Sequence, residues 1–182
     1  MNTQLKRMQR LLEVGRTLNS ITELRDALLL ILGAAAELTD SFGASILDPE
    51  PDGESLRFLV NTPDLQMLQT LLIPVDESIA GLAFRKKETV VVNDVSRAPR
   101  HSKRADEVSG FPTYSVTACP ILFRGEVLGI LEVINKRAAV DYTGEDVTIL
   151  ETLAAHAAIA IQNAHLQRSE ERRVGKECRS RW

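Results

Sequence analysis

From Thr143 to about Arg168, the residues Val147, Leu150, Ala154, Ala157, Ile161 and Ala164 recur at alternating spacings of three and four. That period is the mark of a single apolar stripe along a helix. Alanine fills much of the stripe, so a second helix can approach closely, as along a coiled-coil seam. The foldable part of the chain is therefore expected to close on a long helix that a partner helix could approach.

The segment before it reads as strand. Tyr114 to Phe123 and Glu126 to Lys136 are β-type runs joined by Arg124-Gly125, a tight-turn pair. Further upstream, TVVVND is a strand, and DESIAGLAFRKKE a helix opened by Asp76 and Ser78. Two more short β runs flank Asp48-Pro-Glu-Pro-Asp-Gly53, where Pro and Gly mark a hairpin. Residues 64–72 suggest a short helix before Pro74, and Val95 to Gly110 a loop or short helix.

The chain opens on helix over residues 3–40, with Leu11, Val14, Leu18 and Ile21 in helical spacing and a break at Asn19-Ser20. A second helix starts near Thr22, with Glu23 and Asp26 placed for its dipole. Its Leu28 to Leu32 run is apolar all round, which implies burial. Helices, strands, helical insertions, strands, helix: this order predicts an α+β domain with an antiparallel sheet.

Composition narrows the function classes. A chain of 182 residues with 44% apolar and 26% charged residues has enough for a core, which argues against disorder. With 22 basic and 25 acidic residues, it lacks the basic face that nucleic acid would need. The longest apolar run, Ala27 to Ala36, is too short to span a bilayer, and the opening MNTQLKRMQRLLEVG lacks a signal-peptide core. Cys119 and Cys178 form no CxxC pair. A cytoplasmic protein with no membrane partner is expected. ERRVGKECRSRW at the end carries five Arg/Lys against two acids and loses the apolar period. It is expected to be a non-native scar or a disordered end.

Thr143-Gly-Glu-Asp146 fits a capping box, with Asp in place of Glu at the third helical position. The Asn135-Lys136 pair ends the preceding strand and is expected to reach that helix start, where the ammonium would meet Asp146. Asn135, Lys136, Tyr142 and Asp146 together resemble the Asn-Lys…Phe…Asp-Glu signature of the GAF domain, a small-molecule sensing module; Tyr142 replaces Phe, and Val147 the final Glu. SIAG, VVNDVSRAPRH, SGFPT, ACPI and VLGILEVINK follow in the family's order, from about Ser20 to Asn163. The resemblance implies a GAF/PAS-like fold: a central antiparallel sheet of about six strands, the N- and C-terminal helices on one face, short helices and loops over the other. It divides the chain into an N-terminal signalling and dimerisation helix (residues 1–19), the domain (20–163), and the end of a C-terminal signalling helix with its tail (164–182).

The nearest subset resembles the cyclic-nucleotide-binding domains of phosphodiesterases and cyclases. It implies ligand contacts at Ser45, Asn61, Ile79, Ala80, Asp106, Ser109, Phe111, Thr113 and Glu132. Part of this has a physical basis, because backbone N–H groups at a helix start favour phosphate. Ser109 and Thr113 can supply hydroxyls, and Phe111 an apolar wall. Against it, Val60 stands where that subset stacks an aromatic on the base, worth on the order of 1–3 kcal/mol per base. Ser102 replaces a tyrosine. Simpler readings stand beside these: Asp106 in KRADE as a solvated charge run, Glu132 as a solvent-facing strand residue, Phe111 as a core plug.

No Ser-His-Asp pattern, P-loop or zinc spacing is present, and no enzyme is expected. His101 is the one place for a haem ligand and lacks a partner, so no metal is expected. His156 and His165 read as packing or dimer-interface residues, and Cys119 as a buried, inert thiol. The expected function is a sensor that couples pocket occupancy, with cAMP or cGMP as candidate ligand, to a homodimer through the terminal helices. The expected output is a kinase, cyclase or phosphodiesterase domain beyond this chain. The alternative is a dimerisation spacer with a vestigial pocket.

Overall fold

The structure, a computed structural model, describes residues 3–179. Two helices come first, α1 (Thr3–Leu18) and α2 (Leu24–Leu38), broken at Asn19-Ser20 as the sequence indicates. The hairpin β1 (Ser41–Pro49) and β2 (Ser55–Thr62) follows, then a 3-10 turn (Gln66–Thr70) and the short strand β3 (Leu72–Pro74). α3 (Ile79–Lys86), β4 (Val90–Val92) and α4 (Arg104–Ser109) lead to the hairpin β5 (Val116–Phe123) and β6 (Glu126–Lys136). α5 (Gly144–Arg179) closes the chain. Among the described residues, no helix is long and apolar enough to cross a membrane.

The six strands form one antiparallel sheet in the order β3-β2-β1-β6-β5-β4. The β5–β6 turn places both Arg124 (φ 50°) and Gly125 (φ 85°) in the left-handed region, the backbone of a type I′ hairpin. α1, α2 and α5 cover one face of the sheet around Leu28, Ile31, Leu32, Ile121, Leu131, Leu150 and Leu153. The 3-10 turn and α3 cover the other, around Leu56, Phe58, Val75, Ala83 and Ile130. Each fully buried Leu or Ile contributes roughly 1.5–3 kcal/mol, so the sheet is stabilised from both sides.

Four points extend or correct these expectations. The alanine seam of α5 already has its partner within this chain: Leu150, Ala154, Ala157 and Ile161 are buried against α2 and β5, and Ile149, Leu153 and Ala158 widen the stripe. Val147 and Ala164 lie at its margin, half-buried. α1 packs against the domain along one side, where Val14 is fully buried and Gly15 abuts the His156 ring. β3 was not foreseen, because three residues ending at Pro74 carry no readable alternation. Finally, α5 remains helical to Arg179, past the end expected near Arg168 and through most of the supposed tail. Residues 180–182 lie outside the described residues.

Candidate functional site

A β-bulge sets the floor of a cavity. Ile46 pairs with Val60 and Leu47 with Phe58, so Leu59 has no opposite residue. One extra residue inverts the alternation of side chains beyond it. Phe58 therefore joins the core on the α3 side of the sheet, while Val60, two residues on, joins the core under the helices. Asn61 returns to the α3 side. It stands in register with Ser45 on β1, and Ser45 with Glu132 on β6. Asn61, Ser45 and Glu132 thus make a polar row across three adjacent strands.

Aromatic rings and α3 close the sides. Phe42, Phe58 and Phe111 line the cavity, and Phe42 and Phe111 pack with centroids 5.5 Å apart at 44°. The aromatic wall expected to be missing at Val60 is supplied by other residues. Ser78 caps α3: its Oγ accepts from Gly81 N–H at 3.0 Å and donates to the Pro74 carbonyl at 2.8 Å. Gly81 is required there, because a Cβ would lie 1.9 Å from the Val75 carbonyl oxygen. That close approach turns Ile79 and Ala80 onto the cavity, with first-turn N–H groups that have no intrahelical partner.

The roof is α4 with its flanking loops, pinned by Asp106. Its carboxylate accepts from Thr113 N–H (2.9 Å), from Thr113 Oγ1–H (2.7 Å) and meets His101 Nε2 at 3.4 Å. Asp106 is thus not part of a solvated charge run; its side chain is 19% exposed and holds the roof shut. Ser109 Oγ accepts from Phe111 N–H at 3.1 Å, which shapes the SGFPT turn. Among the described residues that line the cavity, one carries a fully buried side-chain polar atom with no hydrogen-bond partner. Asn61 is 4% exposed and its Nδ2 donates to the Pro63 carbonyl at 2.7 Å, yet its Oδ1 is buried and unpaired. Burying an acceptor without a donor costs about 1–3 kcal/mol. Glu132 is half-buried, and burial, then the charge of Asp106, pushes its carboxyl up to about 7.

All nine residues expected to contact ligand line this one cavity. Its volume is about 100 Å³, below the roughly 300–1,000 Å³ of ordinary ligand pockets. His101 and Ser102 line both the cavity and a surface cleft beside it that includes Asp76, Glu77 and Arg104. Sequence reasoning missed Phe42 and Phe58, and no sequence signal marks the bulge that brings Phe58 inward.

The signature residues lie outside the cavity and tie its roof to α5. Asn135, at φ 56°, accepts from Tyr114 N–H (2.6 Å) and donates to the Pro112 carbonyl (2.8 Å). It was expected to reach the helix start and instead holds the segment after α4. Lys136 does reach it, pairing with Asp146, which also accepts from Thr143 N–H at 2.7 Å and Thr143 Oγ1–H at 2.9 Å. Burial would raise the Asp146 carboxyl, but the Lys136 and Thr143 bonds prevail and hold it below the usual carboxylate range. The Tyr142 ring lies under the Lys136 ammonium, 5.4 Å from its centroid, and its hydroxyl bonds Ser41 at 2.9 Å. Cys119 is buried under the helices, on the face away from the cavity, and burial pushes its thiol up to about 11. Among the described residues, no cluster of His, Cys, Asp and Glu could hold a metal ion.

This sheet, its two covered faces and the Asn-Lys to Asp tie define an α+β domain of GAF type, a class of sensory and regulatory modules. The profile of the GAF domain matches residues 22–162, and the chain belongs to that family. Among curated relatives, a probable 3′,5′-cyclic phosphodiesterase of Caenorhabditis elegans is 24% identical over 177 residues, covering 89% of this chain and 24% of that protein. A dual 3′,5′-cyclic-AMP and -GMP phosphodiesterase of Takifugu rubripes is 31% identical over 96 residues, 52% of this chain and 11% of that protein. The chain therefore spans a quarter or less of the length of these relatives. Among solved structures, the GAF domain of a phosphoenolpyruvate-protein phosphotransferase from Coxiella burnetii superposes with a TM-score of 0.82 at 20% identity, covering 93% of this chain and 99% of that one. Free methionine-R-sulfoxide reductase from Neisseria meningitidis gives 0.76 at 18% identity, with 92% and 95% covered. These two share the fold.

Proposed function

We propose that the cavity is a sensing site for a small molecule, a cyclic nucleotide, and that its occupancy is passed to a homodimer through the terminal helices. The observation that carries this is Asn61, which lines a cavity walled by three phenyl rings and whose buried Oδ1 has no hydrogen-bond partner. A purine supplies N–H donors for such an acceptor and a ring face for the phenyls. The free N–H groups of Ile79 and Ala80 suit a cyclic phosphate. Ser45, Ser109 and Thr113 would complete the contacts. Two relatives named as cyclic phosphodiesterases support the ligand class.

Because the cavity is small, a ligand of nucleotide size requires α4 and its loops to move outward. Residues 95–113 would reorder around the ligand, and Asn135 and Lys136 would carry the shift from Pro112–Tyr114 to Asp146 and α5. This is a population shift between two arrangements of the roof. The dimer face is the exposed stripe Leu5, Met8 and Leu12 on α1 with Ile159 and Leu166 on α5, since the alanine seam is occupied. The domain itself would regulate rather than catalyse, in the cytoplasm, with a kinase, cyclase or phosphodiesterase as output.

The small cavity volume, about 100 Å³, favours a second reading, a dimerisation spacer with a vestigial pocket. Isothermal titration of the chain with cAMP and cGMP separates the two. The sensor binds, Asn61→Leu binds at least tenfold more weakly, and the dimer mass is unchanged; the spacer binds neither nucleotide.

A further inference from the structure

The charge inventory of the cavity adds a condition on what enters it. Among the described residues, its lining includes two carboxyl groups, Glu132 on the floor and Asp106 in the roof, and neither lysine nor arginine. The one basic side chain is His101, which faces Asp106 at 3.4 Å. Asp106 also receives both Thr113 donors, so its side chain is held in place. Glu132 is the carboxyl left to respond.

The other charged groups do not supply the missing cation. Lys136, on the same strand, is committed to Asp146. Tyr142, whose phenol is pushed up to about 12 mainly by burial, feels Glu132 only weakly and is neutral at physiological pH. Asp76, Glu77, Lys103, Arg104 and Glu107 lie around the outer cleft, with acids and bases nearly balanced. β1, β2 and α3 present neutral lining residues.

A cyclic phosphodiester carries one negative charge. In a space with little water, that charge beside an ionised Glu132 would be balanced only by helix-start N–H groups and by His101, which already faces Asp106. We infer that the cavity takes an anionic ligand only together with a proton on Glu132, whereas a neutral ligand of the same shape enters without one. This rests on the cyclic-nucleotide reading above and adds a charge rule to it. The balance is simple: carboxylate, proton and anion combine into a carboxyl group beside the bound anion, and no covalent bond to the ligand forms. The raised titration of Glu132, to about 7, puts the proton within reach at physiological pH.

The test is calorimetric titration of the full chain with cAMP and cGMP, and with the neutral nucleosides adenosine and guanosine. It is run from pH 6 to 8.5 in two buffers of different ionisation enthalpy. The expected result is a cyclic-nucleotide Kd that weakens by about tenfold per pH unit above 7, with uptake approaching one proton, and a nucleoside Kd that stays flat. Glu132→Gln should bind cyclic nucleotide without pH dependence and, at pH 8, more tightly than the parent. A flat Kd with no proton uptake in the parent overturns the inference while leaving the ligand reading intact. So does a slope retained in Glu132→Gln, which would place the proton on His101. If that variant does not fold, the proton count in the parent decides. Nucleosides binding where neither cyclic nucleotide does, or no binding by any of the four, overturns the ligand reading and the inference with it.

Discussion

Asn135 and Lys136 are neighbours in sequence and hold opposite sides of the domain. The Asn135 amide binds Tyr114 N–H and the Pro112 carbonyl under the cavity roof, while the Lys136 ammonium binds Asp146 at the first turn of α5. The left-handed backbone of Asn135 (φ 56°), a conformation asparagine tolerates, bends β6 one residue before its end, and the two side chains diverge. A displacement of the roof therefore has a covalent route of one peptide bond to the anchor of the C-terminal helix.

Asp146→Asn should be strongly destabilising. It leaves the Lys136 ammonium, whose side chain is 9% exposed, without its counter-charge, a change that costs about 3–5 kcal/mol. Thermal denaturation should show a fall of roughly 10 °C at pH 7. Because the Asp146 carboxyl is held below its ordinary range, its stabilisation is present above ordinary carboxylate pH and is lost as pH falls through the lowered value. The variant's stability should accordingly vary less between pH 4 and pH 2 than the parent's.

Asn135→Ala should loosen the roof and spare the helix layer. Hydrogen exchange at Tyr114 should accelerate, since that amide bonds the lost Oδ1 at 2.6 Å, while amides around Leu150 and Leu153 in α5 keep their protection. Equal acceleration in both places would contradict the separate anchoring.

Glu132→Gln should stabilise the unliganded domain at pH 8 and have little effect at pH 4. The folded carboxyl titrates near 7 instead of 4.5, so between those values the folded state keeps a proton that the unfolded state releases. Stability therefore falls as pH rises through this window and stays lower above it. The expected gain is on the order of 1–3 kcal/mol, read as a higher melting temperature at pH 8.

Charge on the exposed stripe should break the proposed dimer. Leu12→Glu with Ile159→Glu replaces residues that are 59% and 56% exposed, so the fold should survive with less than about 1 kcal/mol lost. Light scattering should then give the mass of a single chain where the parent gives two.

The fold was legible to the extent that local rules govern it. Helical spacing places α1, α2 and α5, Arg124-Gly125 the last hairpin, and Thr143 with Asp146 the capping box. What was hidden depends on contacts distant in sequence. The bulge at Leu59 sends Val60 under the helices and Phe58 into the cavity, a register effect without a residue signature. The alanine seam announces a close partner, and sequence cannot say that α2 of the same chain fills it. Asp106 sits in a charged run, and only the return of the chain at Thr113 makes it a latch.

The most direct measurement is the melting temperature of the full chain at pH 6.5, with and without cAMP or cGMP, beside Asn61→Leu. At a hundred times Kd, ligand should add about 2.7 kcal/mol, a rise of roughly 5–10 °C, with the variant responding far less. Unchanged melting with both nucleotides, in a chain that still dimerises, would contradict the sensor and leave the spacer.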